Sequence, residues 1–319
     1  MIVQKNIAQM TLDWAKVLYQ KTGHSFAEYY VAYAQMHTQD FDALAEDLPN
    51  LQLCFELAIH QRQDSLIIRF WEYASDFLWF RGYWELYSMW GSRGLEAARR
   101  LNKRDKEAWL LSEMGWLQME QGEFEIARGL FNQSRSIFER IGDTRGTCVL
   151  LRYLGVLAFR IKEIAQAENL FRKALQIAKE NNYEGMIAET KNLQGSVARR
   201  QGDLETARQL YAEACKGYEA TGDLIRLTGV LLNIGKLELE VGNLTSARLG
   251  FQQAMAVCHK VKRKDMLYGC HLGLAEVERQ MGNHDSARQL ARLARDGFGS
   301  LGMKRDVEAV DRFLKSIEK

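Results

Sequence analysis

A forty-residue internal repeat constrains this chain more than any other feature. The segments EQGEFEIARGLF, RQGDLETARQLY, EVGNLTSARLGF and QMGNHDSARQLA set Gly122, Gly202, Gly242 and Gly282 at whole multiples of forty, with Lys162 at the missing step and Gly82 one period upstream. Five residues further on comes alanine (Ala127, Ala167, Ala207, Ala247, Ala287). Four after that stands an aromatic (Phe131, Phe171, Tyr211, Phe251), with Ala291 breaking the series. Seven before each glycine position is another small residue: Gly115, Gly155, Gly195, Gly235 and Ala275. Gly142, Asn182, Gly222, Lys262 and Gly302 mark a second turn. Such a period means stacked supersecondary units, none of which can bury its apolar face alone.

Each spacing has a physical cause. Gly122 and its equivalents follow an apolar-periodic stretch, where a helix ends in a left-handed residue. The residue after it (Glu123, Asp203, Asn243) opens the next helix as cap or first-turn charge. Gly115 and Ala127 let the two helices of one hairpin approach closely, and Phe131 is expected to fill the space between adjacent hairpins. Each unit is then two helices of about 16 residues. Composition agrees: Pro49 is the one proline in 319 residues, and a chain that is helix nearly throughout has few places for another. The 47% hydrophobic content excludes disorder. The expected fold is all-α, a right-handed α-solenoid of antiparallel helix hairpins with about 16 helices and essentially no strand.

A small residue at position eight, alanine at twenty, an aromatic at twenty-four and alanine at twenty-seven (Ala174, Ala214, Ala254 and Ala294, with Ser134 once) resemble the tetratricopeptide repeat (TPR). The period exceeds the common 34 residues, and the late proline of that family is absent. Six units are drawn at 68–107, 108–147, 148–187, 188–227, 228–267 and 268–307, the first degenerate. Residues 304–319, containing KRDVEAVDRFLKSI, read as a capping helix. Residues 1–67 form an irregular helical segment with HSFAEYYVAYAQMH and DLPNLQLCFELAIHQ, followed by RFWEYASDFLWFRGYWELYSMW. His24, Tyr29, Tyr30, Ala34, Asn50, Leu51, Ala58, Arg81 and Gly82 in this order resemble the C-terminal TPR sensor arm of STAND-class NTPases of the NB-ARC and MalT types. The resemblance implies an arm that senses a ligand or partner. The NTPase part of those families has no counterpart in the sequence.

Chemistry is sparse. A net charge of +2 and a pI near 8.2 leave no footprint for bulk nucleic-acid binding, which shows a pI above about 9. The string from Gly229 to Gly235-Lys236 misses the phosphate-loop spacing by one residue, lacks its hydroxyl and lies in a repeat helix. Cys258-His259 and Cys270-His271 offer four potential zinc ligands. By repeat phase, though, Cys258 matches Phe138 and Tyr218, and Cys270 matches Leu110, Leu150 and Val230, so both read as buried core thiols. No Ser, His and Asp set shares a position that suggests a triad. The run from His259 to Lys264 reads as helix capping and solubility. An odd count of five cysteines, without framework spacing, implies free thiols in a reducing cytoplasm. No leader-like or membrane-spanning stretch is read from the sequence. The chain is expected to be no enzyme and to use no cofactor and no metal.

Six of the seven tryptophans lie between Trp71 and Trp116. They read as a thick aromatic core, or alternatively as an aromatic-lined recognition pocket. The first helix of each hairpin should line a concave groove. On that face fall Trp109 and Trp116, then Arg152, Tyr153 and Arg160, then Asn192, Arg199 and Arg200, then Asn233 and Lys236. Arginines suit carboxylates, and asparagine amides can hold an extended peptide backbone. The leading expectation is a non-catalytic scaffold that binds a protein or peptide partner, acidic to match the basic groove. The alternative is a ligand-sensing regulatory arm acting with a separate effector. Membrane, nucleic-acid and small-molecule substrates are not expected.

Overall fold

A computed structural model describes residues 21–38, 40–261, 263–301 and 303–317. Among the described residues the chain is sixteen helices without a strand. They are α1 (21–36), α2 (Phe41–Glu46), α3 (Leu48–His60), α4 (Asp64–Phe80), α5 (Trp84–Arg100), α6 (Arg104–Gln121), α7 (Phe124–Ile141), α8 (Thr144–Arg160), α9 (Ile164–Glu180), α10 (Glu184–Gln201), α11 (Leu204–Thr221), α12 (Leu224–Val241), α13 (Leu244–Val261), α14 (Lys264–Gln280), α15 (His284–Ser300) and α16 (Lys304–Ile317). From α4 onward they pair into six hairpins with α16 last. Repeat units drawn from 108 or 148 begin four residues inside a hairpin's first helix, which is a choice of phase. The chain divides into two compact units, 1–137 and 138–319.

Helix ends follow a cadence of twenty residues. Arg62, Gly82, Asn102, Gly122, Gly142, Lys162, Asn182, Gly202, Gly222, Gly242 and Gly282 all have φ between +53° and +88°. Lys262 and Gly302, the remaining members, lie outside the described residues. The two turn series are thus a single one. After each left-handed residue the chain closes the preceding helix: the N–H groups of Glu123, Asp203 and Asn243 donate to the carbonyls of Gln118, Ala198 and Glu238 at 2.8–3.0 Å, the six-to-one bond of a Schellman motif. The same residue often caps the next helix. Asp143, Asp203 and Asp223 accept from the backbone N–H groups of Gly146, Thr206 and Arg226 at 2.8, 3.1 and 3.0 Å, and Asn243 accepts from Ser246 at 3.4 Å. Each cap satisfies a donor that the helix start leaves open.

Within the second unit, packing rests on glycine. A Cβ placed on Gly155, Gly195 or Gly235 would come within 2.5, 2.7 or 2.7 Å of the rings of Phe171, Tyr211 or Phe251. The repeat aromatic therefore lies on the glycine of its own hairpin, not primarily between hairpins as the spacing suggested. The reason is steric: the missing side chain leaves a slot that a flat ring fills. Phe251 does both, since a Cβ on Gly273 of the following hairpin would meet it at 2.4 Å. Adjacent hairpins are tied by charged rungs one period apart. Arg208 donates to Glu238 at 2.9 Å and Arg248 to Glu278 at 2.5 Å. Glu238 is buried and Glu278 largely so, while each arginine stays partly in water, so the rung satisfies the more buried charge without stripping both ions. In the last hairpin and cap, Ala291, Phe298 and Val310 share a small core with Phe313 and Leu314.

The first unit packs by large rings instead. Trp90, fully buried, stacks on Phe55 with centroids 4.2 Å apart and planes at 10°. Trp71 meets Tyr87 edge-on at 4.5 Å, and Trp79 stacks on Trp84 at 5.9 Å. Trp71 and Trp90 are core residues, whereas Trp79, Trp84, Trp109 and Trp116 are half-buried. Asp47 ends α2 and opens α3, and Pro49 sits in the first turn of α3, where its missing N–H costs nothing. Glu107 is bracketed by Arg99 and Arg104 at 3.0 and 2.7 Å, and these bonds outweigh its burial and hold its carboxyl below the ordinary range.

Candidate binding face of the second unit

The first helices of successive hairpins in the second unit, α8, α10, α12 and α14, lie side by side. Asn192 on α10 and Asn233 on α12 meet across this row: the Asn233 amide N–H donates to Asn192 Oδ1 at 2.9 Å. That bond uses one donor and one acceptor and leaves the other amide group of each residue for a third partner. One turn along, the Ser196 hydroxyl donates to the Asn192 carbonyl at 3.1 Å and lies 3.2 Å from the Tyr211 hydroxyl. Tyr211 thus reaches this face although its ring is core.

Beyond the amides lies a pair of cations. Arg199 is half-buried, and its Nη1 has no hydrogen-bond partner, standing 3.7 Å from Glu240. Lys236 is open to solvent. Desolvation and then the Arg199 guanidinium pull its ammonium below the usual lysine range, against the opposing pull of Cys270 and Glu240. Two like charges that act on one another, with Glu240 as a loose counter-charge, favour an incoming anion. Arg200 is exposed, with its guanidinium 5.8 Å over the Phe159 ring, a cation–π arrangement.

Other expected residues lie elsewhere or are already committed. Arg152 is 4% exposed and ion-paired with Glu189 of α10. Glu189 also faces Arg226 at 3.6 Å, and Arg226 pairs with Asp223 at 2.5 Å. This alternating chain of four charges makes Arg152 an interhelical tie and not an open anchor, because a buried guanidinium requires a counter-ion. Tyr153 is half-buried and Arg160 exposed, and both are engaged by neighbours. Trp109 and Trp116 stand on α6 in the first unit, half-buried and engaged. Repeat phase alone does not mark Arg226 as a member of this chain of charges. Its signal is the Asp223 cap three residues before it, which places the side chain in the first turn of α12.

Among the described residues, no three of His, Cys, Asp and Glu are placed to hold a metal ion. Gly229 to Lys236 lie within α12, with Gly235 against the Phe251 ring. Arg263, in the basic run, is 9% exposed and doubly bonded to Asp265 at 2.7 and 2.8 Å. A cleft of about 460 Å³ between α9, α10 and α11 is lined by polar groups that satisfy one another: Gln201 donates to Glu168 at 2.7 Å and Arg172 to Asn169 at 2.9 Å. No described helix is long and apolar enough to cross a membrane. All five cysteines are unbridged.

A family model described as tetratricopeptide repeat matches residues 106–180 and 146–220. No curated protein matches the chain in sequence. Among solved structures it is similar to a Rap protein complexed with Competence and Sporulation Factor, at 13% identity and TM-score 0.63, over 99% of this chain and 95% of that one. It is similar to the apo form of the quorum sensor NprR from B. thuringiensis, at 12% identity and TM-score 0.58, over 100% of this chain and 95% of that one. It is also similar to a Signal Transduction ATPase with Numerous Domains from Pyrococcus horikoshii that carries a tetratricopeptide repeat sensor. That likeness has 15% identity and TM-score 0.61, over 86% of this chain but only 42% of that one. At such identities the likeness is one of fold. The family match makes residues 106–220 tetratricopeptide repeats, and the paired helices that continue on a period of forty residues give the described chain a fold of the same kind.

Proposed function

We propose that the chain is a non-catalytic binding module that captures an extended protein or peptide segment on the face of α10 and α12. One observation carries this reading: the Asn192–Asn233 amide pair stands beside the under-neutralised cations Arg199 and Lys236. Amides offer a donor and an acceptor to a peptide backbone, and the cations suit an acidic side chain or terminus. The Rap protein solved with Competence and Sporulation Factor, and NprR as a quorum sensor, support a ligand-binding role for this kind of solenoid. No cofactor enters, and the module acts in the cytoplasm.

A partner recovered from native lysate and made as a peptide provides the test. Arg199→Ala with Arg200→Ala should weaken its binding by more than about 1 kcal/mol, and added salt should weaken the wild type. The control is Lys262→Ala with Lys264→Ala. Loss of binding in the control with none in the arginine pair would move the site away from this face.

A second reading is favoured by the likeness, across 86% of this chain, to the P. horikoshii ATPase that carries a tetratricopeptide repeat sensor. In it the chain is a sensing arm that changes shape with ligand and controls a separate effector. X-ray scattering with and without the peptide separates the two readings, because a scaffold keeps its profile and a sensor does not.

A further inference from the structure

Cys258, in the last turns of α13, and Cys270, in α14, lie against one another in a small core with Ala254, at 1% and 0% exposure. Each thiol acts on the proton affinity of the other. Their repeat equivalents at the preceding junction, Tyr218 and Val230, also share one core cluster. The fold therefore brings this pair of positions face to face between hairpins, and at the junction of the fifth and sixth hairpins both positions are thiols. Packed helix axes lie about 8–10 Å apart and each Cα about 2.3 Å off its axis. Facing Cα atoms then come within roughly 3–5 Å, which overlaps the range a disulfide spans.

We propose that Cys258 and Cys270 form a reversible redox link that pins α13 to α14 when a hydroperoxide is present. The Cys258 thiolate attacks one peroxide oxygen, the O–O bond breaks, and the departing oxygen takes a proton and leaves as water. Cys258 is then a sulfenic acid. The Cys270 sulfur attacks that sulfur, the S–S bond forms, and the sulfenic oxygen leaves as a second water carrying the Cys270 proton. Two thiols lose two electrons and hydrogen peroxide is reduced to two waters. The roles follow from the surroundings. Cys270 beside it lowers the Cys258 thiol, against burial and the Asp265 carboxylate, which outweighs Arg263, whereas Cys258 and burial raise Cys270. Half-buried Cys215 is the more accessible thiol, but burial and then Glu219 push it up to about 11, so accessibility alone does not make it reactive. Because both sulfurs of the pair are buried, the reaction waits on local opening of the α13–α14 junction.

The full chain is treated with hydrogen peroxide, quenched, denatured and alkylated, and its thiols are counted by mass spectrometry. The expected result is two of the five thiols lost, a Cys258–Cys270 cross-linked peptide in the digest, and full recovery with dithiothreitol. Cys258→Ala and Cys270→Ala, each checked for unchanged helical circular dichroism, should yield no cross-link, while Cys215→Ser should still lose two thiols. A low, sub-denaturing urea concentration should speed linkage. Five thiols surviving in the wild type, a cross-link involving any other cysteine, or conversion to sulfinic acid without a cross-link would each overturn the proposal.

Discussion

Away from Gly115 and Phe131, which already follow the second unit's pattern, the first unit packs its helices by a different means from the second. In the first, large rings are fitted to one another: Trp90 on Phe55, Trp71 on Tyr87, Trp79 on Trp84. In the second, a ring is fitted to the absence of a side chain, as with Phe171 on Gly155 and Phe251 on Gly235. All seven tryptophans precede residue 138. Ring-on-ring packing depends on a particular set of neighbours: the first unit uses it both in the short helices α2 and α3, of 6 and 13 residues, and in α4 and α5, of 17 each. Ring-on-glycine packing needs one vacant Cβ and can be copied, and from α8 to α15 the helices keep to 17 or 18 residues. Regularity here comes from what is left out of the interface.

That contrast can be broken from either side. Trp90→Ala removes a fully buried ring and should cost about 3–5 kcal/mol, read as a fall in the urea midpoint. Tryptophan emission follows the first unit selectively, since the second unit has none. Gly235→Val drives a branched side chain into Phe251 and should cost about 1–3 kcal/mol. Its loss should appear in hydrogen exchange of α12 and α13 while tryptophan emission is spared; a reversed pattern would mean the units do not differ as described. Lys162→Gly relieves a left-handed lysine at φ +66° and should stabilise by about 0.5–1 kcal/mol, read as a raised midpoint. A smaller effect separates the units by pH. Burial and then His259 hold His271 below its ordinary 6.5, so the unfolded chain binds the proton more readily than the folded one. Stability from this group is complete above about pH 6.5 and falls as pH drops toward its folded value. Glu107 in the first unit sits below its ordinary 4.5 and loses its contribution only in more acid solution. Thermal scans from pH 7 to 5 should show a slope that His271→Gln flattens.

Much of the fold was legible because glycine has few other reasons to recur every forty residues. The cadence of twenty was only half legible. Arg62, Asn102, Lys162 and Asn182 adopt the same left-handed backbone, but their side chains do not announce it, since the surrounding helices and not the residue impose the conformation. The candidate face was legible as a row of positions and not as a set of pairings. Repeat phase puts Arg152 and Arg199 on one face, yet Arg152 meets Glu189 across two helices and Arg199 keeps a nitrogen without a hydrogen-bond partner. Which charge is neutralised depends on a neighbour thirty to forty residues away, and that distance is invisible to local pattern. Phe131 and its equivalents were correctly read as core, but the partner of each ring was assigned to the wrong interface. Spacing along a helix does not say which of two adjacent slots a ring enters.

The left-handed joints carry one more consequence. Because Gly202, Gly222 and Gly242 share nearly the same φ, at +85°, +69° and +81°, the chain leaves each helix by the same kind of corner. Excising one hairpin between two equivalent corners would join ends already shaped for one another, and duplicating a hairpin would introduce no unfamiliar bend. Length is therefore an adjustable property of this molecule, counted in forty-residue modules, and an insertion or deletion of any other size has to rebuild a corner.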